Sequence, residues 1–126
     1  MTWREEFKQR YRVLSESKKI NSNEKVIEYF KEQFNVLVDD LPNKDLIQVQ
    51  QYNDGVIFKV GNSNLTLNTG FTSDNLTVKA NGEIIGEIKF EDGAVLKFEN
   101  RHINDSRIST QTVDFLFKEA FAKFSI

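Results

Sequence analysis

Apolar residues recur along this chain first at helical spacing, then at alternate positions, then at helical spacing again. Trp3, Phe7, Tyr11 and Leu14 form one stripe with a period near 3.6, which predicts an N-terminal helix. Thr2 and Glu5 stand at capping-box spacing, so its first orphan amides are satisfied from the start. Asn21-Ser22-Asn23 interrupts the pattern, with Asn23 the expected cap of a second helix and Glu24 in its first turn. The second stripe is Val26/Ile27, Phe30, Phe34, Leu37 and Leu41, and Asp39-Asp40 with Pro42 ends it. A final helix is expected near residue 110, capped by Ser109 or Thr110. Its stripe is Val113, Leu116, Phe117, Ala120, Phe121 and Phe124, with Phe115 off the stripe.

Between residues 45 and 100 the period drops to two, and six short runs separated by turn residues predict an antiparallel meander: 46–52, 56–60, 64–69, 75–80, 83–90 and 94–99. Asp54-Gly55 as a two-residue turn sets Val49 opposite Val60, and Asn62-Ser63 as the next sets Phe58 opposite Leu67. A two-residue Asn81-Gly82 loop would oppose Leu76 to Glu87 and mix the faces. A three-residue Ala80-Asn81-Gly82 loop, setting Val78 opposite Ile84, is therefore expected. Glu91-Asp92-Gly93 sets Phe90 opposite Ala94, Ile88 opposite Leu96 and Gly86 opposite Phe98, with Glu87 facing Lys97 on the outer side. The inner face then reads Ile47, Val49, Val56, Phe58, Val60, Leu65, Leu67, Leu76, Val78, Ile84, Ile88, Phe90, Leu96 and Phe98. The expected fold class is α+β, a single domain over residues 1–126. Two N-terminal helices precede a six-stranded antiparallel meander sheet and a C-terminal helix, with the helices on one face of the sheet.

A length of 126 residues, 39% hydrophobic and 29% charged, suits one globular domain. There is no Cys, which removes disulfides, Cys zinc sites and thiol catalysis. No apolar run has the length of a spanning helix, and no apolar stretch follows the first residues as in a secretory signal. The expectation is a cytoplasmic protein without a membrane partner. The net charge of −2 is unevenly spread. Residues 1–20 hold six Lys/Arg against three Glu, a net of +3, and the remainder carries −5.

No constellation for catalysis stands out. His102 is the single histidine, in a polar stretch with only Asp105 near it in sequence, and an exposed loop His is the expected reading. The carboxylate pairs Asp39-Asp40 and Glu91-Asp92 fall at a helix end and in a turn, both wet, rather than in the contrasting environments that acid/base pairs need. The six Gly fall in turns and strands, not before a helix, so no phosphate loop exists. The chain is therefore expected not to be an enzyme and to use no metal and no cofactor.

The first helix is the main candidate surface. Trp3, Arg4, Phe7, Lys8, Tyr11 and Arg12 combine aromatics with Arg, as protein interfaces do. Two readings compete for its stripe. Continuity through Phe7 and Leu14 favours core packing for Trp3, whereas two helices suffice to cover most of one sheet face and would free the first helix for a partner. Nucleic-acid binding through the basic side of this helix is the weaker reading, because three Glu dilute the charge.

The order helix–helix–six strands–helix resembles that of the helix-grip fold, in which a curved sheet wraps a C-terminal helix around an apolar cavity. The resemblance is of element order only, and the chain lacks that fold's leading strand. It implies an apolar pocket between the last helix and the sheet, lined by Phe58, Phe90, Phe98, Phe117 and Phe121. Two functions follow as expectations. One is a small accessory, immunity-like or regulatory protein that binds another protein or a second copy of itself. The alternative is a binder of small apolar ligands.

Overall fold

The structure, a computed structural model, describes residues 2–69, 75–98 and 106–122; the side chains of Phe98 and Ser106 lie outside that description. Among the described residues three helices, α1 (Trp3–Lys19), α2 (Asn23–Val38) and α3 (Thr110–Phe121), accompany seven strands: β1 (Ile47–Tyr52), β2 (Gly55–Val60), β3 (Ser63–Thr69), β4 (Leu76–Ala80), β5 (Glu83–Phe90), β6 (Ala94–Phe98) and β7 (Ser106–Arg107). The strands form one antiparallel sheet in sequential order. The six expected strands are its body, and the two-residue β7 extends the edge beside β6. His102 and Phe124 lie outside the described residues.

Each helix starts where its cap chemistry dictates. Thr2 Oγ1 accepts from the Glu5 amide at 3.3 Å. For α2 the cap is Ser22, one residue before the expected Asn23; its hydroxyl accepts from the Lys25 amide at 3.3 Å. Ser109 is the N-cap of α3, although its side chain makes no capping bond to the backbone.

The core lies between the sheet's inner face and the pair α2 and α3. Phe34 of α2 packs on Phe58 of β2 with ring centroids 5.0 Å apart, and Phe117 of α3 meets Phe34 at 5.8 Å and Phe58 at 6.1 Å. Phe30 and Phe121 extend the cluster through further ring contacts at 6.1 Å and 5.9 Å. These edge-on and tilted arrangements are the favourable ones for rings. The last turn of α2 carries three apolar residues, Val36, Leu37 and Val38, and Val38 rather than the expected Leu37 turns inward; Leu37 and Leu41 stay exposed. Val49 also departs from expectation. It sits on the edge strand, one strand beyond β2 where α2 rests, and is 40% exposed.

The sheet keeps the expected faces at most positions but not the expected registers. In the first hairpin Tyr52 pairs with Gly55, so the turn is Asn53-Asp54 and Val49 faces Phe58, not Val60. In the second, Val60 pairs with Ser63 around Gly61-Asn62, and Phe58 faces Leu65, not Leu67. Both are slips of two residues, which preserve the faces because the side-chain period is two. The first of these registers is open only to glycine at position 55. Gly55 lies inside β2, and a Cβ there would overlap the Leu67 carbonyl oxygen and come within 2.7 Å of Asn68 Cα on β3.

The third hairpin corrects the loop length. Asn81 and Gly82, with φ of 53° and 87°, form a two-residue turn, and Ala80 pairs with Glu83. The face conflict that this loop creates is removed by a β-bulge between Val78 and Lys79, where Ile85 is the extra residue. Val78 then faces Gly86, not Ile84, and Leu76 faces Ile88. The bulge swaps two neighbours, burying Ile85 and leaving Ile84 52% exposed. The fourth hairpin has the expected register throughout, including Gly86 opposite Phe98 and Glu87 opposite Lys97.

The Asn81 side chain also ties layers together. Its Oδ1 accepts from the Asn64 amide and its Nδ2 donates to the Ala120 carbonyl near the end of α3, each at 2.9 Å.

Two predictions follow from this packing. Phe117→Ala empties a site bounded by four other rings and is expected to destabilise by about 3–5 kcal/mol, read from the denaturant midpoint. Gly82→Ala has open space and only a strained φ, so about 1–2 kcal/mol is expected. Gly55→Ala must overlap backbone and is expected to destabilise more than Gly82→Ala in the same measurement.

Candidate functional site

The first helix presents its apolar stripe to solvent. Trp3 is 71% exposed, Phe7 62%, Tyr11 65% and Leu14 37%. This overturns core packing as the reading for Trp3. The reason is visible on the opposite side of α1. Ser17 is its one buried residue, and Gln9, Val13, Ser15 and Glu16 are half-buried. At 100° per residue, the stripe lies roughly 140° round the helix from that docked side.

α1 is held by Ile20 at its C-cap, buried in the core, and by a set of polar contacts. Ser17 Oγ donates to the Ala94 carbonyl at 2.9 Å and accepts from Arg107 Nη1 at 3.1 Å. The same guanidinium nitrogen donates to the Asp92 carbonyl at 2.8 Å, and Lys18 pairs with the Asp92 carboxylate at 3.2 Å. The fit against the β5–β6 turn is close, for a Cβ on Gly93 would stand 2.6 Å from the Ser17 carbonyl oxygen. The Tyr29 hydroxyl of α2 donates to Glu16 at 3.3 Å, and burial with the neighbouring Glu16 carboxylate holds this phenol protonated well above the usual tyrosine range. All these anchors lie in the C-terminal turns of the helix.

The cations of α1 are equally outward. Arg4, Lys8 and Arg12 are exposed and make no ion pair with the described residues. The Arg4 guanidinium lies 5.6 Å from the centre of the Trp3 ring. Arg12 faces a groove between α1 and the start of α3 that also holds Glu5 and Glu16, so positive charge there is diluted.

Of the residues expected to line an apolar pocket, Phe98 has its side chain outside the described residues, and the others belong to the packed core or border it. Phe58, Phe117 and Phe121 meet in the core cluster, where Phe34, absent from the expected set, fills the space between them. Periodicity had already placed Phe34 on the inner stripe of α2, but contact between α2 and α3 is a tertiary fact. Phe90 is half-buried and lines a polar groove with Asn21, Ser22, Asn23 and Asn75. Two amide oxygens near this end of the sheet, Asn23 Oδ1 and Asn68 Oδ1, are enclosed without a hydrogen-bond partner among the described residues.

Of the carboxylate pairs, Glu91 and Asp92 are taken up in ion pairs with Lys97 and Lys18. Asp39 and Asp40 are exposed at the end of α2. No group of three His, Asp or Glu among the described residues is placed to hold a metal ion, and no helix there is long and apolar enough to cross a membrane. In comparisons with known proteins, the chain matches no family model, no curated protein and no solved structure.

Proposed function

We propose that this protein is a non-enzymatic interaction domain that binds another protein through the outward stripe of α1. The observation that carries the reading is the exposure of Trp3, Phe7, Tyr11 and Leu14 on the side turned away from the body. Large apolar side chains left in water on an otherwise well-packed domain favour burial against a partner, by about 1.5–3 kcal/mol each when fully covered. Trp and Tyr are the side chains that most often dominate such contacts, since they cover large areas with few rotatable bonds. The scaffold suits the role, because its anchors are confined to the last turns and leave the aromatic half of the helix accessible.

The variant Trp3→Ala/Phe7→Ala/Tyr11→Ala tests this. Its fold is expected to be intact, with a circular dichroism spectrum like that of the wild type, because the three rings are exposed and Ala favours helix. Each substitution is expected to shift stability by no more than about 0.5 kcal/mol. Crosslinked capture from the native host, quantified by mass spectrometry, is expected to enrich a protein with wild type and lose it with the variant. Equal capture by both forms would refute the reading, and an unfolded variant would return the stripe to the core.

A further inference from the structure

A second run of exposed apolar residues lies at the end of α2 and the approach to β1. Val36 is 72% exposed, Leu46 63%, Leu37 46% and Leu41 43%. This segment is acidic. Residues 32–49 carry Glu32, Asp39, Asp40 and Asp45 against Lys44 alone, a net of −3. None of these four carboxylates forms an ion pair with the described residues. The local field is stronger than the count suggests. A helix C-terminus carries about half a negative charge, and α2 has no base in its last turn while Asp39 and Asp40 follow it directly.

The stripe of α1 is the converse surface, aromatic and apolar, rimmed by Arg4 and Lys8, on a segment of net +3. One chain thus carries an apolar cationic helix and an apolar anionic patch, opposite in the sign of their charge. Building on the reading of α1 as a contact surface, we propose that its partner is a second copy of this chain. The α1 stripe of each copy seats on the α2–β1 patch of the other in a closed two-fold dimer. Such a dimer uses both surfaces twice and leaves neither exposed, which is the commonest closed arrangement for identical chains. Opposite charge across the contact steers encounter and fixes which surfaces meet.

Charge exchange tests it directly. One variant carries Arg4→Glu and Lys8→Glu, the other Asp39→Lys and Asp40→Lys. The exchanged residues are exposed, and acid at position 4 in the first turn of α1 and base at the end of α2 agree with the helix dipole, so both variants are expected to fold. By light scattering and sedimentation equilibrium, wild type is expected at twice the monomer mass and each variant alone as monomer. An equimolar mixture of the two is expected to recover the dimer, because both contacts in the mixed pair again oppose unlike charges. Raising salt to about 1 M, where screening acts within about 3 Å, is expected to weaken the wild-type dimer.

A wild type that stays monomeric overturns the proposal, as do single variants that still dimerise or a mixture that does not. Monomeric wild type that sediments with anionic vesicles through Trp3 gives the stripe a lipid surface instead and also overturns it. Capture of a different protein, lost on removing the three rings, would leave α1 a contact surface while the dimer fails, so the two readings fall separately.

Discussion

Packing of Phe34 between Phe58 and Phe117 is the contact on which the rest of this structure depends. It joins three elements far apart in sequence, α2, β2 and α3, at the middle of one sheet face. Ring contacts at 5.0–6.1 Å bring large apolar areas together in geometries that satisfy the ring quadrupoles as well. Once α2 and α3 are seated there, the inner face of the central strands is covered, and Val56, Leu65, Leu67, Leu76, Val78, Ile88 and Leu96 are buried beneath them. The asparagine at position 81 pins the same assembly from the turn, joining β3 to the end of α3.

α1 packs beside β6 and β7, with its C-cap residue Ile20 in the core. An amphipathic helix is ordinarily held by its apolar side. Here the apolar side is outward and the docked side is held by a short polar chain, from Asp92 and Ala94 through Arg107 to Ser17, with Glu16 and Tyr29 beside it. Hydrogen bonds each contribute only about 0.5–1.5 kcal/mol net, so this element rests on few and modest contacts. The same docking, confined to the C-terminal turns of α1, leaves its aromatic residues accessible.

The meander shows how steric detail overrides local turn signals. Asp-Gly and Asn-Ser are plausible turn pairs, yet the chain turns one residue earlier in both of the first two hairpins. At the first, glycine is needed inside β2, where the β3 backbone approaches too closely for a Cβ. At the third hairpin the turn takes its favoured two-residue form and the sheet absorbs the misfit with a bulge. The alternation of buried and exposed residues therefore survives a change in register.

Periodicity in the sequence was sufficient for the three helices, the six main strands, the inward positions Val26, Ile27, Phe30 and Phe34 of α2 and Val113, Leu116, Phe117 and Ala120 of α3, and the fourth hairpin, because each depends on spacing within one element or across one turn. It also singled out Trp3, Phe7 and Tyr11 as a coherent stripe, and the cations beside them. Whether that stripe faced inward or outward was not legible, since amphipathic spacing specifies a side of a helix and not what that side meets. Tertiary structure decided it: the phenylalanines of α2 and α3 pack on the sheet, and α1 docks beside β6 and β7 by its other side. Likewise the bulge at Ile85 and the glycine demanded at position 55 arise from the approach of neighbouring strands, a distance that no local spacing contains.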